Sequence, residues 1–288
     1  MRSTVFTIPH SPFPIYLKYD PYRIFRGSQT PVGLYVRQKW LGEAGEVAWQ
    51  RDYDEQTNRL FKGQGPDGSW DGSLIDTVHR LFGLHLTVRH ANAEIDKALE
   101  WLMNRSFGML TKPHQKKGIP ITGRDLVGLP FTTGSRESFQ YGATLFLSSI
   151  FGKENDPRIR KCYALLGKEV AGKGGRFCGW ASMTNYIRAL VVHPRYSRST
   201  ITEQAVIALA GVQKPGGRWL SRIPFYQNIN SLAHLDFETA EEQLRPAFDR
   251  LLKTQNQDGS WGRSQREWNT FLVVHALRNK GHVLSEPC

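Results

Sequence analysis

The sequence predicts an all-α protein, an (α/α)6 barrel of helical-hairpin repeats. Three observations predict it. A Gly-Trp turn recurs along the chain, apolar stretches of helical period flank each copy, and strand signals are weak, with little sustained alternation and no Asn-Gly hairpin.

The turns come first, because they set the register. Gln64 to Trp70 reads QGPDGSW, Gln213 to Trp219 reads QKPGGRW and Gln255 to Trp261 reads QNQDGSW, all of the form Q-x3-G-x-W. A degenerate copy, Ala171 to Phe177, keeps the glycine and an aromatic residue but not the glutamine. The starts at 171, 213 and 255 are 42 residues apart. An amphipathic stretch precedes each turn and a second apolar helix follows, so each unit reads outer helix, glycine turn, inner helix. The tryptophan can cover the turn, and the glutamine amide can satisfy free backbone groups at a helix end.

Six inner helices are predicted, near 31–41, 75–86, 138–150, 182–193, 226–236 and 268–280. Outer helices fall near 46–62, 93–105, 157–170, 201–212 and 240–254, with Asn92 and Thr200 or Thr202 as caps. Only eight residues follow Lys280, so no sixth outer helix is available. The chain therefore divides into an extended arm, 1–30, and a barrel, 31–288, with the arm placed to cover the gap. The first repeat interval exceeds 42 residues, and the surplus falls in a Gly/Pro/Lys-rich loop insertion near 108–136.

Composition narrows the function classes. With 40% hydrophobic and 22% charged residues, the 288-residue chain can bury a core. No apolar run is long enough for a membrane span, and the N-terminus lacks the apolar core of a signal peptide. Cys162, Cys178 and Cys288 are too scattered for a disulfide framework or a thiolate zinc cluster. A cytoplasmic location is expected. The net charge of +12, densest at Lys112 to Lys117 and Arg124, suits an anionic membrane surface or a polyanion. It equally suits a solvated loop. No nucleic-acid signature is present, and no specific nucleic acid is expected.

The Q-x3-G-x-W repeat resembles that of the terpenoid cyclase and protein prenyltransferase superfamily, as in squalene–hopene cyclases, over roughly residues 31–280. The resemblance implies a barrel whose inner helices line an apolar cavity for isoprenoid chains. It also implies an Asp-x-Asp-Asp-Thr acid motif opening an inner helix, whose middle aspartate protonates the substrate. The matching stretch here is Ser73-Leu74-Ile75-Asp76-Thr77, with Ile75 where the acid would stand. Isoleucine supplies no proton, so protonation-initiated cyclisation is not expected. Asp52-Tyr53-Asp54-Glu55 echoes the motif but reads as the solvated face of an outer helix. The prenyltransferase zinc set of a near Asp and Cys with a distant His has no counterpart at Cys162 or Cys178. No metal and no cofactor are expected.

Several residues remain as candidates. Asp76 and His79 share a helix face, either as an acid–base pair or as a helix-terminal acid and a core histidine. The 42-residue register places Asn185, Gln227 and Asn269 in one column near inner-helix starts, able to bond a polar head group or simply to cap. Arg188, facing inward, would mark a phosphate or carboxylate site. His234 and His275 lie further along two of the same helices. Phe82, Tyr141, Phe146, Tyr186 and Phe271 supply aromatic faces, which in the cyclases stabilise carbocations and elsewhere simply pack. Three functions follow. The first is a terpenoid-cyclase-like barrel, binding or converting an isoprenoid or another hydrophobic or amphipathic molecule. The second is a non-catalytic scaffold with a basic anion-binding surface. The third is a carbohydrate-active barrel using a carboxylate pair drawn from Asp76, Glu137 and Asp236. A protein partner closing the barrel is compatible with the first two.

Overall fold

The computed structural model describes residues 17–107, 121–176 and 178–282. Among them are eleven helices: α1 (Pro31–Lys39), α2 (Val47–Phe61), α3 (Leu74–Thr87), α4 (Ala93–Phe107), α5 (Arg136–Ile150), α6 (Pro157–Gly172), α7 (Trp180–Val192), α8 (Thr200–Ala210), α9 (Phe225–Leu232), α10 (Glu238–Lys253) and α11 (Arg266–Asn279). The odd-numbered helices form the inner ring. Each packs on its inner neighbours, and α11 returns to α1 to close it. The even-numbered helices form the outer layer. This is the predicted all-α barrel of hairpins. No helix among the described residues is long and apolar enough to cross a membrane.

Local chemistry explains the helix starts. Thr30, with Pro31 in the first turn, caps α1 by accepting from the Gly33 N–H. Ser73 caps α3, and Ser135 and Ser138 form a reciprocal capping box on α5. Asn92 accepts from Ile95, as its position predicts. The cap of α8 is Ser199, not Thr200 or Thr202: Thr202 donates its backbone N–H to Ser199 and bonds the Tyr196 carbonyl through its own hydroxyl. Helix α9 ends at Leu232, four residues short of the predicted end. There the N–H groups of His234 and Leu235 bond the carbonyls three residues back and tighten the chain into a turn.

The repeat turns join one hairpin to the next. Gln64 Nε2 donates to the Gly68 carbonyl in its own turn and to the Glu94 carbonyl of α4. Gln213 Nε2 does the same with Gly217 and with Gln243 of α10. Gly68, Gly175 and Gly217 all have positive φ, and each lies so close to the next outer helix that a Cβ would overlap a backbone carbonyl oxygen, of Lys97, Gln204 and Pro246 respectively. Only glycine meets both demands. Trp70 and Trp261 donate their indole N–H to carbonyls at the ends of the preceding outer helices, Lys62 at 3.2 Å and Leu251 at 2.9 Å.

Among the described residues the last turn meets no outer helix. Residues 17–25 take that place. Gln255 Nε2 bonds the Tyr19 carbonyl, its Oε1 accepts from the N–H of Lys18 and Tyr19, and the Asp20 carbonyl lies against Gly259.

The acidic stretch on α2 departs from the sequence reading. Asp54 and Glu55 are exposed, but Asp52 is buried. Its carboxylate lies 2.8 Å from Arg37 Nη1, while Arg37 Nε lies 2.6 Å from Glu43. The hydrogen bond from Arg37 holds the Asp52 carboxyl below the usual range. The side chain that neutralises Asp52 sits 15 residues away on α1, so the local pattern could not reveal the burial.

Adjacent glycines give a controlled test of the turn. Gly217→Ala should lower stability by about 2 kcal/mol or more in a denaturant titration, through left-handed strain and the clash with Pro246. Gly216→Ala, where a Cβ meets nothing within 4 Å, should lie within about 0.5 kcal/mol of the parent. Equal effects at the two positions would contradict the packing described.

Candidate functional site

The barrel interior divides into two unlike halves. Helices α11, α1, α3 and α5 supply aromatic rings in continuous contact. Phe82 meets Phe146 at 6.1 Å between centroids and Trp268 edge-on at 5.8 Å. Trp268 stacks on Phe271 at 5.5 Å, and Phe271 stacks on Trp40 at 5.6 Å. Tyr35 meets Phe271 edge-on. Such stacked and edge-on arrangements suit the aromatic quadrupole.

Helices α7 and α9 face this surface with polar groups. Arg188 is 4% exposed, donating from Nη1 to Asn230 Oδ1 at 2.7 Å and from Nη2 to the Gln227 carbonyl at 3.2 Å. Asn230 is held in turn by its own donation to the Leu272 carbonyl of α11. No acid pairs with Arg188 among the described residues, and burial alone pulls its pKa down to about 9. His234 follows the end of α9, its Nδ1 at 2.6 Å from the Asn230 carbonyl. Its ring meets that of His275 at right angles, 4.9 Å between centroids. Burial lowers the His234 pKa to about 4. Burial first, then the neighbouring His234 and Arg188, lowers that of His275 to about 3. His85 on α3, beside Phe82 and Phe146, is lowered to about 4 by burial and by Arg89. All three rings are neutral near pH 7. His234 as a whole residue nevertheless keeps accessible surface, at the end of the barrel reached by the inner-helix C-termini, while its imidazole lies deep among the surrounding groups.

At the other end, residues 121–135 lie across the mouth. The loop insertion expected near 108–136 is described only from residue 121 onward. His79 Nε2 meets the Asp125 carbonyl at 2.7 Å. Asn185 bonds both the N–H and the carbonyl of Thr132. These bonds hold Phe131 edge-on against Phe146 and Phe139. An open cleft of about 600 Å³ lies outside this plug, lined by Phe131, Trp180, Ser182, Arg222, Gln227 and others. Phe131 thus stands between the cleft and the aromatic interior.

The candidate residues separate on this frame. Phe82, Phe271, His275 and Arg188 converge on the interior. Asn185 is fully buried by its bonds to the loop, Gln227 borders the cleft, and Asn269 is spent on the Ser264 carbonyl. Asp76 is exposed, and no hydrogen bond joins it to His79 among the described residues. Tyr141 and Tyr186 turn away from the axis. Tyr186 is two residues from Arg188, about 200° round the helix, and both tyrosines lie within electrostatic reach of Cys162 on the outer helix α6. Asp76, Glu137 and Asp236 are all exposed, so none is one of an inward carboxylate pair. Sequence reasoning missed Tyr35, Trp40, His85, Asn230 and Trp268. Trp268 and Asn230 lie on predicted inner helices, one residue before Asn269 and three after Gln227, and a helical wheel drawn on the true register would have found them.

No family model matches the chain, and no curated protein matches its sequence. Solved structures do. A protein from Actinoplanes matches with a TM-score of 0.55 at 16% identity, over 93% of this chain and 92% of that one. A variant of the type II terpene cyclase MstE from Scytonema, in complex with its substrate geranylgeranyl dihydroxybenzoate, matches with a TM-score of 0.53 at 13% identity, over 92% and 89%. A second MstE variant, in complex with the product merosterolic acid A, gives 0.53 at 14%, over 92% and 88%. The chain has a terpenoid-cyclase-like fold.

The depressed histidines fix a pH dependence. Their folded-state pKa values lie below the unfolded value, so the unfolded chain binds more protons as the pH falls. Stability is therefore complete above about pH 6.5 and declines toward pH 4. His193 and His282 are lowered as well. A His234→Gln/His275→Gln double variant isolates the interior pair. Its denaturation midpoint should fall less than the parent's between pH 7 and pH 4.5, and an unchanged slope would contradict the assignment.

Proposed function

We propose that this chain holds an isoprenoid, or a closely similar amphipathic molecule, along the aromatic half of its barrel, with a polar head toward α7 and α9. The observation that carries this reading is the continuous run of Phe82, Phe146, Trp268, Phe271 and Trp40, facing the buried polar side chains of Arg188 and Asn230. A greasy chain against rings, with few placed polar groups, is how small-molecule sites recognise such ligands. The MstE complexes support the class of ligand by likeness of fold, at low identity. Phe131 guards the approach from the cleft.

The reading assigns binding ahead of acid catalysis. Ile75 stands where the acid motif has its proton donor, and Asp76 points to solvent. Any chemistry would have to start otherwise than by protonating an alkene, because alkene protonation needs a desolvated acid.

Tryptophan emission offers the test, since Trp40 and Trp268 line the interior. Geranylgeraniol should produce a saturable change. Phe82→Leu should weaken the apparent affinity by about threefold to tenfold, by removing ring contacts worth roughly 1 kcal/mol. Asp76→Asn should leave it unaltered. A flat titration with the folded parent would reject the ligand-binding reading and favour the scaffold, whose rings would then serve only to pack the axis.

A further inference from the structure

Arg188 is an interior residue that an apolar ligand does not explain. A buried guanidinium is costly unless it meets an anion. Of its five N–H donors, two find acceptors, Asn230 Oδ1 and the Gln227 carbonyl, and the buried Nε–H finds none. Both acceptors are neutral. The free Nε–H belongs to the planar fork that grips a carboxylate through two parallel bonds. Asn230 is pinned to the Leu272 carbonyl and so holds the guanidinium in a fixed plane.

The surroundings favour a single negative charge. His234 is committed through Nδ1 to the Asn230 carbonyl, and its ring orients His275 edge-on. The ring nitrogens of His275 make no hydrogen bond among the described residues, and the ring lies within electrostatic reach of Arg188. It can offer an N–H as a neutral imidazole. The other nearby cations lie against rings. Arg89 lies over Tyr35 and bonds Gln38, although its own buried Nε–H is also unpaired, and Arg278 lies over Trp40 and bonds Tyr22. Among the described residues no cluster of three or more His, Cys, Asp or Glu side chains could hold the metal ion that usually accompanies a diphosphate.

We propose that the interior carries a carboxylate site, with Arg188 as its cation, His275 as a second donor and Asn230 and His234 as positioning residues, so that the bound molecule is an isoprenoid acid. This rests on the isoprenoid reading above and names the head group.

Calorimetry on the intact chain tests it with two probes that share one hydrocarbon chain, farnesoic acid and farnesol. The acid should bind the parent about tenfold tighter or more, the difference expected of a charge-assisted pair. Arg188→Met should bring the two affinities together. If that variant does not fold, Arg188→Lys, which keeps the charge but loses the fork, should shrink the acid's advantage severalfold. Equal affinities in the parent, an advantage that survives Arg188→Met in a folded protein, or tighter binding of farnesyl diphosphate than of farnesoic acid would each overturn the carboxylate assignment while leaving the isoprenoid reading standing. If neither farnesyl probe binds, the isoprenoid reading fails, and benzoate then decides the site separately. Benzoate heat that depends on Arg188 sustains the carboxylate site, and its absence overturns it.

Discussion

The barrel depends on one close approach: the glycine of each repeat turn against a backbone carbonyl of the next outer element. Four turns make it, at Gly68, Gly175, Gly217 and Gly259. Where the glutamine is present, its amide spans the same junction and ties the turn to that element. The contact is between backbones, so it tolerates almost any side chain on the outer helix but only glycine at the turn. The copy at residue 171 shows the order of importance. It has lost the glutamine and kept the glycine and its approach to Gln204. At the last turn the N-terminal segment makes the same contact from a different secondary structure, which joins the first described residues to the last repeat.

A ring held from outside in this way leaves the inner faces free to diverge. The inner helices share one direction and one register, yet α11, α1, α3 and α5 present rings while α7 and α9 present Arg188 and Asn230. A core selected only for packing would not place an acid-free guanidinium opposite stacked aromatics, because the buried charge has to be offset by something. The neutral histidines beside it follow from the same dehydration. On the proposed reading, ligand recognition accounts for the polar wall, the aromatic wall and the depressed histidines together.

Much of this was legible in the sequence, for a physical reason. The turn glycines and tryptophans act locally and at a fixed period, so they gave the fold class, the hairpin order and most helix bounds. Arg188 was legible as an inward cation because its helix and register followed from the repeat. Contacts between distant repeats were not. Tyr35 and Trp40 on α1 meet Phe271 and His275 on α11 only once the ring closes. Asp52 is buried where Arg37 reaches it from α1. Asn185 looked like a head-group ligand, but it is bonded to Thr132 in a loop with no repeat counterpart. Tyr141 and Tyr186 sit on the right helices and the wrong faces, an error of angle that a 42-residue register cannot correct.

The central claim is that the interior is a binding site for an amphipathic isoprenoid-like molecule and not a sealed core. Native mass spectrometry of gently purified protein, followed by solvent extraction and analysis of the released material, tests it most directly. The account predicts a fraction of the chain carrying one small hydrophobic molecule, of a mass that fits an isoprenoid with a polar head and that is lost on denaturation. Protein that is folded, homogeneous and wholly free of ligand, and that stays so after incubation with isoprenoid acids and alcohols, would contradict it.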